Sequence, residues 1–233
     1  MDLDRLRRNW ENLGRADPMW AILTNPGTEG GRWDEAEFFA TGVHFIRWLG
    51  DWLYHNGIPI PSGRALDFGC GIGRLTQALA PYFDEVTGVD ISQPMIDLAV
   101  AKNRHGDKVR YVCNTSPDLE QFATGSFDYV QTLIVLQHMR PEYSLRYVAE
   151  FLRVLRRGGL LFFQLATRPR SARAGTMPSS DEQPGEARME MYGVAPERVR
   201  EVLAAHGGTV LKESENPWAG PTWRSMHFVV RRA

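Results

Sequence analysis

The chain has 233 residues, of which 43% are hydrophobic and 24% are charged, and its formal net charge is −1. This composition is typical of a globular protein with one α/β domain and an added covering segment. The near-neutral charge argues against nucleic-acid binding, because nucleic-acid-binding proteins carry a basic surface. The two cysteines form no C-x-x-C pair, the charged N-terminus lacks an apolar signal core, and the apolar runs are too short to span a bilayer. We therefore expect a cytoplasmic protein without a metal site.

The first 60 residues are predicted to form a helical cover, followed by the main domain over residues 61–233. The stretch WDEAEFFATGVHFIRWLGDWLYHNG has an apolar stripe at helical spacings of three and four. Its members are Phe39, Val43, Ile46, Leu49 and Leu53. The following IPIPSG is a linker that ends the helix.

Strand and helix patterns alternate after this linker. The strands are RALDFGC, EVTGVD, KVRYVCN, FDYVQTLIV and LLFFQLAT, and SQPMIDLAVAKNR is a helix with Ser92 at its N-cap. The helix PEYSLRYVAEFLRVLRR is expected to include Leu155 in its apolar stripe. Such alternation predicts a parallel sheet that is covered on both faces. Residues 168–195 are predicted to contain a mobile loop, and TVLKESE and SMHFVVRR an antiparallel hairpin at the sheet edge.

A glycine-rich turn, LDFGCGIG, follows the first predicted strand. Glycine stands at every second position from Gly69, and Asp67 lies two residues before it. A dinucleotide fingerprint requires glycine at the sixth position of the turn, where this chain has Arg74. An acid beside the turn suits a ligand with an ammonium group better than a pyrophosphate. Unpaired backbone N–H groups in such a turn are also expected to be available to an anionic group.

A second acid ends the next predicted strand. Asp90 follows the strand EVTGVD and stands 23 residues after Asp67. A carboxylate at this place can accept hydrogen bonds from both hydroxyls of a ribose. The next residues include Ile91 and Met95, which are predicted to sandwich a flat adenine.

Three segments, LDFGCGIGRLTQALA, VTGVDISQPMIDLA and SFDYVQTLIVLQHM, together resemble the class I S-adenosylmethionine-dependent methyltransferases of the small-molecule type. The resemblance runs from about Arg64 to Thr167, and the edge hairpin extends it. It implies a doubly wound, Rossmann-like seven-stranded α/β sheet of order 3-2-1-4-5-7-6, with the last strand antiparallel. It implies S-adenosylmethionine as cofactor, S-adenosylhomocysteine as product and no metal. The implied cofactor-binding residues are Asp67, Gly69, Gly71, Gly73, Asp90, Ile91, Met95, Asn114, Thr115, Ser116 and Leu133.

The chain departs from the family pattern after the third strand. Many members have an acid there, whereas this chain has Asn114, Thr115 and Ser116, and Asp118 follows one turn later. Either a hydroxyl or backbone group, or Asp118, is expected to contact the adenine.

The resemblance implies an in-line transfer of an activated methyl group, which needs a general base only where the attacking group holds a proton of high pKa. His138, at the end of the fourth strand, is the catalytic candidate. The same residue has two other possible roles, a contact to the methionine part of the cofactor and a cap of the following helix.

The methyl acceptor is expected to be a small, partly apolar molecule that is methylated on oxygen or nitrogen. The chain lacks the N/D-P-P-Y/F/W and Pro-Cys motifs of nucleic-acid base methyltransferases and the acids of metal-dependent catechol enzymes. The aromatic N-terminal region contains a glycine-rich turn, NPGTEGGRW, that is a plausible hinge for a lid. The candidate substrate-binding residues are Trp20, Trp33, Phe38 and Tyr192.

Three alternatives stay open at this point. One is a nicotinamide-dependent oxidoreductase, which Arg74 and the antiparallel hairpin argue against. Another is a module that binds an S-adenosyl nucleoside without catalysis. The third is a protein or tRNA methyltransferase, which the near-neutral charge makes less favourable. The sequence predicts no oligomeric state and no membrane partner.

Overall fold

The structure is a computed structural model and describes residues 2–170 and 189–233. The α-helices are α1 (Leu3–Ala16), α2 (Pro18–Ile22), α3 (Glu35–His55), α4 (Arg74–Leu79), α5 (Gln93–Ala101), α6 (Pro141–Val154) and α7 (Pro196–Ala205). The strands are β1 (Arg64–Phe68), β2 (Glu85–Asp90), β3 (Val109–Cys113), β4 (Phe127–Thr132), β5 (Leu155–Pro169), β6 (Gly208–Asn216) and β7 (Trp223–Arg232).

The strands form a seven-stranded sheet of order β3-β2-β1-β4-β5-β7-β6. β1 and β2, β2 and β3, and β4 and β5 pair in parallel, whereas β7 runs antiparallel to both β5 and β6. The predicted doubly wound sheet, its strand order and its antiparallel edge hairpin are therefore confirmed. Within the described residues, no helix combines the length and the apolar character that crossing a membrane requires.

Contacts divide the chain into two compact units. The first spans Asp4–Thr115 and contains α2 to α5, most of α1, and β1 to β3; the second begins at Ser116 and contains β4 to β7 with α6 and α7. The N-terminal helices thus share a unit with the first three strands. The division at residue 60 stays a prediction, and most of the predicted loop 168–195 lies outside the described residues.

Helix α3 buries three of the five residues of its predicted stripe, Ile46, Leu49 and Leu53. Its buried residues are Phe38, Gly42, Ile46, Leu49 and Leu53. The prediction is wrong at Val43, which is 39% exposed, whereas Phe39 is half-buried. The cause is a close contact with α4: a Cβ on Gly42 would lie 2.3 Å from the carbonyl oxygen of Arg74.

Helix α6 ends earlier than predicted. It ends at Val154, and Leu155 already belongs to β5, where it pairs with Phe127 of β4. The predicted helical position of Leu155 is wrong. An irregularity in the register after Phe127 and the left-handed Gly158, with φ 77°, allow the chain to leave the helix and enter the strand directly.

Candidate functional site

The glycine turn connects β1 to α4 and has a left-handed backbone. Gly69, Gly71 and Gly73 have φ values of 75°, 52° and 88°. L side chains rarely adopt this region, because their Cβ clashes with the backbone. The turn therefore requires glycine for its own geometry, whatever ligand it holds.

The backbone N–H groups of this turn bind protein oxygens. Those of Gly69 and Cys70 donate to the carbonyl of Val89 at 2.7 and 3.0 Å, and that of Gly73 donates to Cys70 at 2.9 Å. The N–H of Gly71 donates to Oδ2 of Asp90 at 2.9 Å. The expectation of unpaired N–H groups is wrong at these four positions, which leaves an anionic ligand without their donors.

The carboxylate of Asp90 is held at the end of β2 by two backbone groups. Oδ2 accepts from Gly71 and Oδ1 accepts from the N–H of Ser92, both at 2.9 Å. Burial raises the pKa of Asp90, the charge of Asp67 adds to this, and the N–H donors act in the opposite direction. Because a carboxylate has about four acceptor positions, this oriented group keeps capacity for hydroxyl donors.

Asp67 lies in the interior behind the turn. It is 2% exposed, and its Oδ2 accepts a 2.6 Å hydrogen bond from the hydroxyl of Thr76. Arg74 is also buried, which lowers its pKa to about 10, while the charge of Asp67 acts against this shift. The contact of Asp67 with an ammonium group stays a prediction.

Two side chains from neighbouring elements occupy the space that a Cβ would need at Gly71 and Gly73. A Cβ on Gly71 would be 2.4 Å from Cδ1 of Ile22 in α2, and a Cβ on Gly73 would be 2.2 Å from the hydroxyl oxygen of Tyr111 in β3. Burial of the Tyr111 hydroxyl raises its pKa. Glycine at these two positions thus leaves room for the side chains of Ile22 and Tyr111.

The predicted adenine residues after β2 pack against the N-terminal helix. Met95 is 1% exposed, and a Cβ on Gly14 of α1 would lie 3.2 Å from its Cγ. Ile91 is half-buried. Ser92 stands at the N-cap of α5 as predicted, but its hydroxyl donates to the carbonyl of Trp10 at 3.3 Å and does not cap the helix.

The segment after β3 offers backbone and hydroxyl groups. Asn114 is buried, and its N–H donates to the carbonyl of Asp90 at 2.8 Å, whereas Thr115 is exposed. The carbonyl of Ser116 accepts a 2.5 Å hydrogen bond from the Tyr147 hydroxyl. Asp118 forms an ion pair of 2.8 Å with Arg146, so this carboxylate already has a cationic partner.

The aromatic candidates of the N-terminal region differ in whether they keep a hydrogen-bond donor that no protein group uses. The indole Nε1 of Trp20 is buried without a hydrogen-bond partner among the described residues. The indole of Trp33 donates to the carbonyl of Leu23 at 3.1 Å. Phe38 has no exposed surface and makes an edge-to-face contact with Trp33 at 5.7 Å. Trp20 is therefore the candidate with a donor to offer, a signal that the sequence alone does not contain.

His138 ends the short 3₁₀ turn that follows β4, and it is 7% exposed. Its Nδ1 lies 2.8 Å from the carbonyl oxygen of Glu190. A carbonyl only accepts, so Nδ1 holds the proton and Nε2 has the lone pair. Burial lowers the pKa of His138, which keeps the ring neutral. The cap role is wrong, because Arg140 stands at the N-cap of α6, which has no side-chain cap.

Several polar groups surround the end of β4. The N–H of Tyr192 donates to the Gln137 carbonyl at 2.7 Å, its hydroxyl bonds to Glu190, and burial raises its pKa to about 12. Leu133, the predicted cofactor-binding residue that follows β4, is half-buried. The Thr132 hydroxyl before it is buried without a hydrogen-bond partner among the described residues, and no sequence pattern pointed to it.

Ile134 is the one described non-glycine residue with a positive φ, 60°. For a β-branched residue this conformation is an outlier that costs about 1–3 kcal/mol and is often found at functional sites. Within residues 2–170 and 189–233, no group of three or more potential ligands is suited to a metal ion.

Comparison with known families identifies the domain. The family model described as methyltransferase domain matches residues 66–163. A ubiquinone biosynthesis O-methyltransferase of Aromatoleum aromaticum is 31% identical over 138 residues, which are 58% of this chain and 57% of that protein. The matched part thus spans a little over half the length of this curated relative.

Solved structures share the fold at low sequence identity. Magnesium protoporphyrin IX methyltransferase from Synechocystis PCC 6803 has a TM-score of 0.69 at 20% identity, with 100% of both chains covered. The [4+2]-cyclase SpnF has a TM-score of 0.61 at 20% identity, with 79% of this chain and 80% of that chain covered. The resemblance seen in the sequence is supported over residues 66–163, which match the methyltransferase-domain model, and these structures share the fold.

Proposed function

We propose that the chain is an S-adenosylmethionine-dependent methyltransferase that moves a methyl group to an oxygen or nitrogen of a small molecule. The observation that carries this proposal is the Asp90 carboxylate, which two backbone N–H groups hold beside the glycine turn. A fixed carboxylate with remaining acceptor capacity suits the paired hydroxyls of a ribose.

The charges around the turn favour S-adenosylmethionine over a dinucleotide. Asp67 and Asp90 are two acids of the same site, and burial raises the pKa of Asp90. A ligand with a sulfonium and an ammonium group stabilises such carboxylates, whereas a pyrophosphate is repelled by them. The N–H groups of Gly69, Cys70, Gly71 and Gly73 already have protein partners, which leaves little for a pyrophosphate to bind.

The residues around the glycine turn and after the second and third strands are assigned distinct roles toward this cofactor. Gly69 and Gly71 would lie against its methionine part, with Asp67 near the ammonium group and Asp90 on the ribose. Ile91, Met95 and the 114–116 segment would surround the adenine. Bound S-adenosylmethionine supplies a methyl group that is already activated for displacement. The protein's own task is then to orient the acceptor and to exclude water.

The acceptor is proposed to be a small molecule covered by the N-terminal residues 1–60. The buried, unpartnered indole N–H of Trp20 offers a donor to an oxygen or nitrogen of the acceptor. The printed name of the Aromatoleum relative, an O-methyltransferase of ubiquinone biosynthesis, supports the small-molecule class. Trp20→Phe keeps an aromatic ring and removes the donor, so it should raise KM for the acceptor, whereas an unchanged KM would contradict this contact.

The cofactor assignment is tested by calorimetric titration of the purified protein with S-adenosylhomocysteine and, separately, with NADH. Any cofactor retained during purification is removed first. Binding of S-adenosylhomocysteine in the micromolar range, with no heat from NADH, is the expected result. Binding of NADH alone would contradict the proposal and favour a nicotinamide-dependent oxidoreductase.

A second candidate is a protein that binds the S-adenosyl nucleoside without transferring its methyl group. The fold likeness to a protein named as a [4+2]-cyclase favours keeping this candidate, because it shows that the fold is not limited to proteins named as methyltransferases. Incubation with methyl-labelled S-adenosylmethionine and fractionated cell extract separates the two. Label in small molecules supports the first proposal, label in protein or RNA favours a macromolecular acceptor, and cofactor binding without transferred label favours the second candidate.

A further inference from the structure

A continuous chain of hydrogen bonds runs from the backbone after β4 to His138, entirely within the second unit. The N–H of Ile134 donates to Oε1 of Gln164 at 3.0 Å, and Nε2 of Gln164 donates to Oε1 of Gln137 at 3.1 Å. Nε2 of Gln137 lies 3.4 Å from Nε2 of His138, and Nδ1 of His138 lies 2.8 Å from the carbonyl oxygen of Glu190.

The two ends of this chain fix the direction of every bond in it. The Ile134 N–H can only donate, so the Gln164 amide must turn its oxygen toward it and its NH₂ toward Gln137. At the other end the Glu190 carbonyl can only accept, so Nδ1 of His138 holds the proton. Both arguments place the NH₂ of Gln137 against an unprotonated Nε2. Two backbone groups thus set the amide orientations and the imidazole tautomer.

The chain is buried, and its weakest bond is the one at the imidazole. Gln164 is 0% exposed, Gln137 is 3% exposed and His138 is 7% exposed. The 3.4 Å separation between Gln137 and Nε2 is longer than an ordinary hydrogen bond, whereas the other three lie at 2.8–3.1 Å. Of the four bonds, this contact is therefore the one that a hydroxyl or amine of a bound acceptor would replace at the smallest cost.

We propose that Gln164 is a positioning residue that acts through Gln137 to keep Nε2 of His138 unprotonated as the base for the acceptor. This inference rests on the proposed methyl transfer. In that reaction the acceptor's O–H or N–H proton passes to Nε2 as the bond from its oxygen or nitrogen to the methyl carbon forms. The carbon–sulfur bond breaks with its electron pair going to sulfur, and the sulfonium becomes a neutral thioether.

The strained backbone of Ile134 holds one end of this hydrogen-bond chain. Its left-handed conformation, φ 60°, accompanies an N–H that donates to Gln164. Gln164 is fixed in turn, because it lies in the buried middle of β5, where it pairs with His227 of β7. The strained residue and the imidazole are therefore connected through two glutamines.

The test is the tautomer of His138 in protein labelled with ¹⁵N at histidine, with its signals assigned by their loss in His138→Asn. Wild type should show a protonated Nδ1 and an unprotonated Nε2. Gln164→Leu removes both bonds of the central amide and should give a mixture of the two tautomers. Gln131→Leu is the matched control, since Gln131 is a buried glutamine of β4 that bonds to Tyr129 and takes no part in the chain of bonds. It should leave the His138 signals as in wild type.

Kinetics on the identified acceptor supply a second readout. Gln164→Leu should lower kcat by about tenfold or more, within the range that general bases contribute, and leave KM for the cofactor within about twofold. An unchanged tautomer in Gln164→Leu, or an equal loss of kcat in Gln131→Leu, would overturn the proposal.

If Gln164→Leu does not fold, Gln164→Glu takes its place, because a carboxylate at this position accepts from Gln137 and turns the Gln137 oxygen toward Nε2. A shift toward protonated Nε2 in this variant would support the proposal, and an unchanged tautomer would overturn it. Absence of S-adenosylhomocysteine binding by wild type would instead refute the proposed function. Since the tautomer is read without cofactor or acceptor, these two failures are distinguishable.

Discussion

The backbone N–H of Gly71 donates a 2.9 Å hydrogen bond to Oδ2 of Asp90 and thereby joins the turn after β1 to the end of β2. The same glycine has a left-handed φ of 52° and lies against Ile22, whose Cδ1 would be 2.4 Å from an added Cβ. One position thus connects the glycine turn, the candidate ribose carboxylate and the N-terminal segment.

Gly71→Ala should lower the free energy of unfolding by about 1–3 kcal/mol, because the added Cβ meets both backbone strain and Ile22. Urea unfolding measures this change. Gly71→Ala should lower the free energy of unfolding less in an Ile22→Ala background than in wild type, because the contact with the Ile22 side chain is then absent. An equal loss in both backgrounds would contradict the contact with Ile22. No loss at all in the Ile22→Ala background would contradict the backbone strain. Gly71→Val should in addition block binding of S-adenosylhomocysteine.

Two glycines of α3 should respond to alanine with opposite signs. Gly50→Ala should stabilise the protein by about 0.5–1 kcal/mol, because its Cβ would meet nothing within 4 Å and alanine favours the helix. Gly42→Ala should destabilise it, because the new Cβ would lie 2.3 Å from the backbone oxygen of Arg74. Thermal or urea unfolding of both variants tests this, and a stabilised Gly42→Ala would show that α3 and α4 do not pack as described.

The strain at Ile134 is measurable by comparing two truncations. Ile134→Ala and Ile134→Gly remove nearly the same side chain, but only glycine relieves the left-handed backbone of φ 60°. The glycine variant should be the more stable by about 1 kcal/mol. An alanine variant at least as stable as the glycine variant in urea unfolding would argue against a strained turn at this position.

We expect the protein to lose stability in mild acid because His138 and His227 are buried. Burial lowers the pKa of His138 and of His227 below the ordinary 6.5. As the pH falls from about 6.5 toward the folded values, the unfolded chain binds protons that the folded protein does not, so the free energy of unfolding falls. His138→Gln should reduce this slope between pH 7 and 5 in urea unfolding. The same slope in wild type and variant would mean that His138 is not held neutral.

Much of the fold was predictable, because its signals are local in the sequence. Apolar strands alternating with helices, and the absence of a helix between the last two strands, indicated the parallel sheet and its antiparallel edge. The motifs around Asp67 and Asp90 indicated the family. The errors came from contacts between distant segments, such as Gly42 against Arg74, which rotates the buried face of α3 away from Val43.

The details of the site were less predictable for the same reason. The sequence identifies a glycine turn but not the partners of its N–H groups, since these lie on Val89 and Asp90 in another strand. It points to His138 but not to Gln164, which is 26 positions later and buried in β5, or to the strained conformation of Ile134. Such relationships need the packed chain.

The central claim is that Asp90 binds the ribose of an S-adenosyl nucleoside, and titration with S-adenosylhomocysteine at several pH values tests it most directly. Asp90→Asn should weaken binding at neutral pH by about tenfold to a hundredfold, as expected when hydroxyl bonds to a charged group are lost. Asp97→Asn is the control, because Asp97 is an exposed acid of the neighbouring α5.

Wild-type affinity should fall as acid protonates Asp90, whose pKa burial raises, so the fall should begin at a higher pH than for an ordinary aspartate. The affinity of Asp90→Asn should lack this acid-dependent step, and Asp97→Asn should follow wild type. Equal affinity and equal pH dependence in wild type and Asp90→Asn would contradict the account.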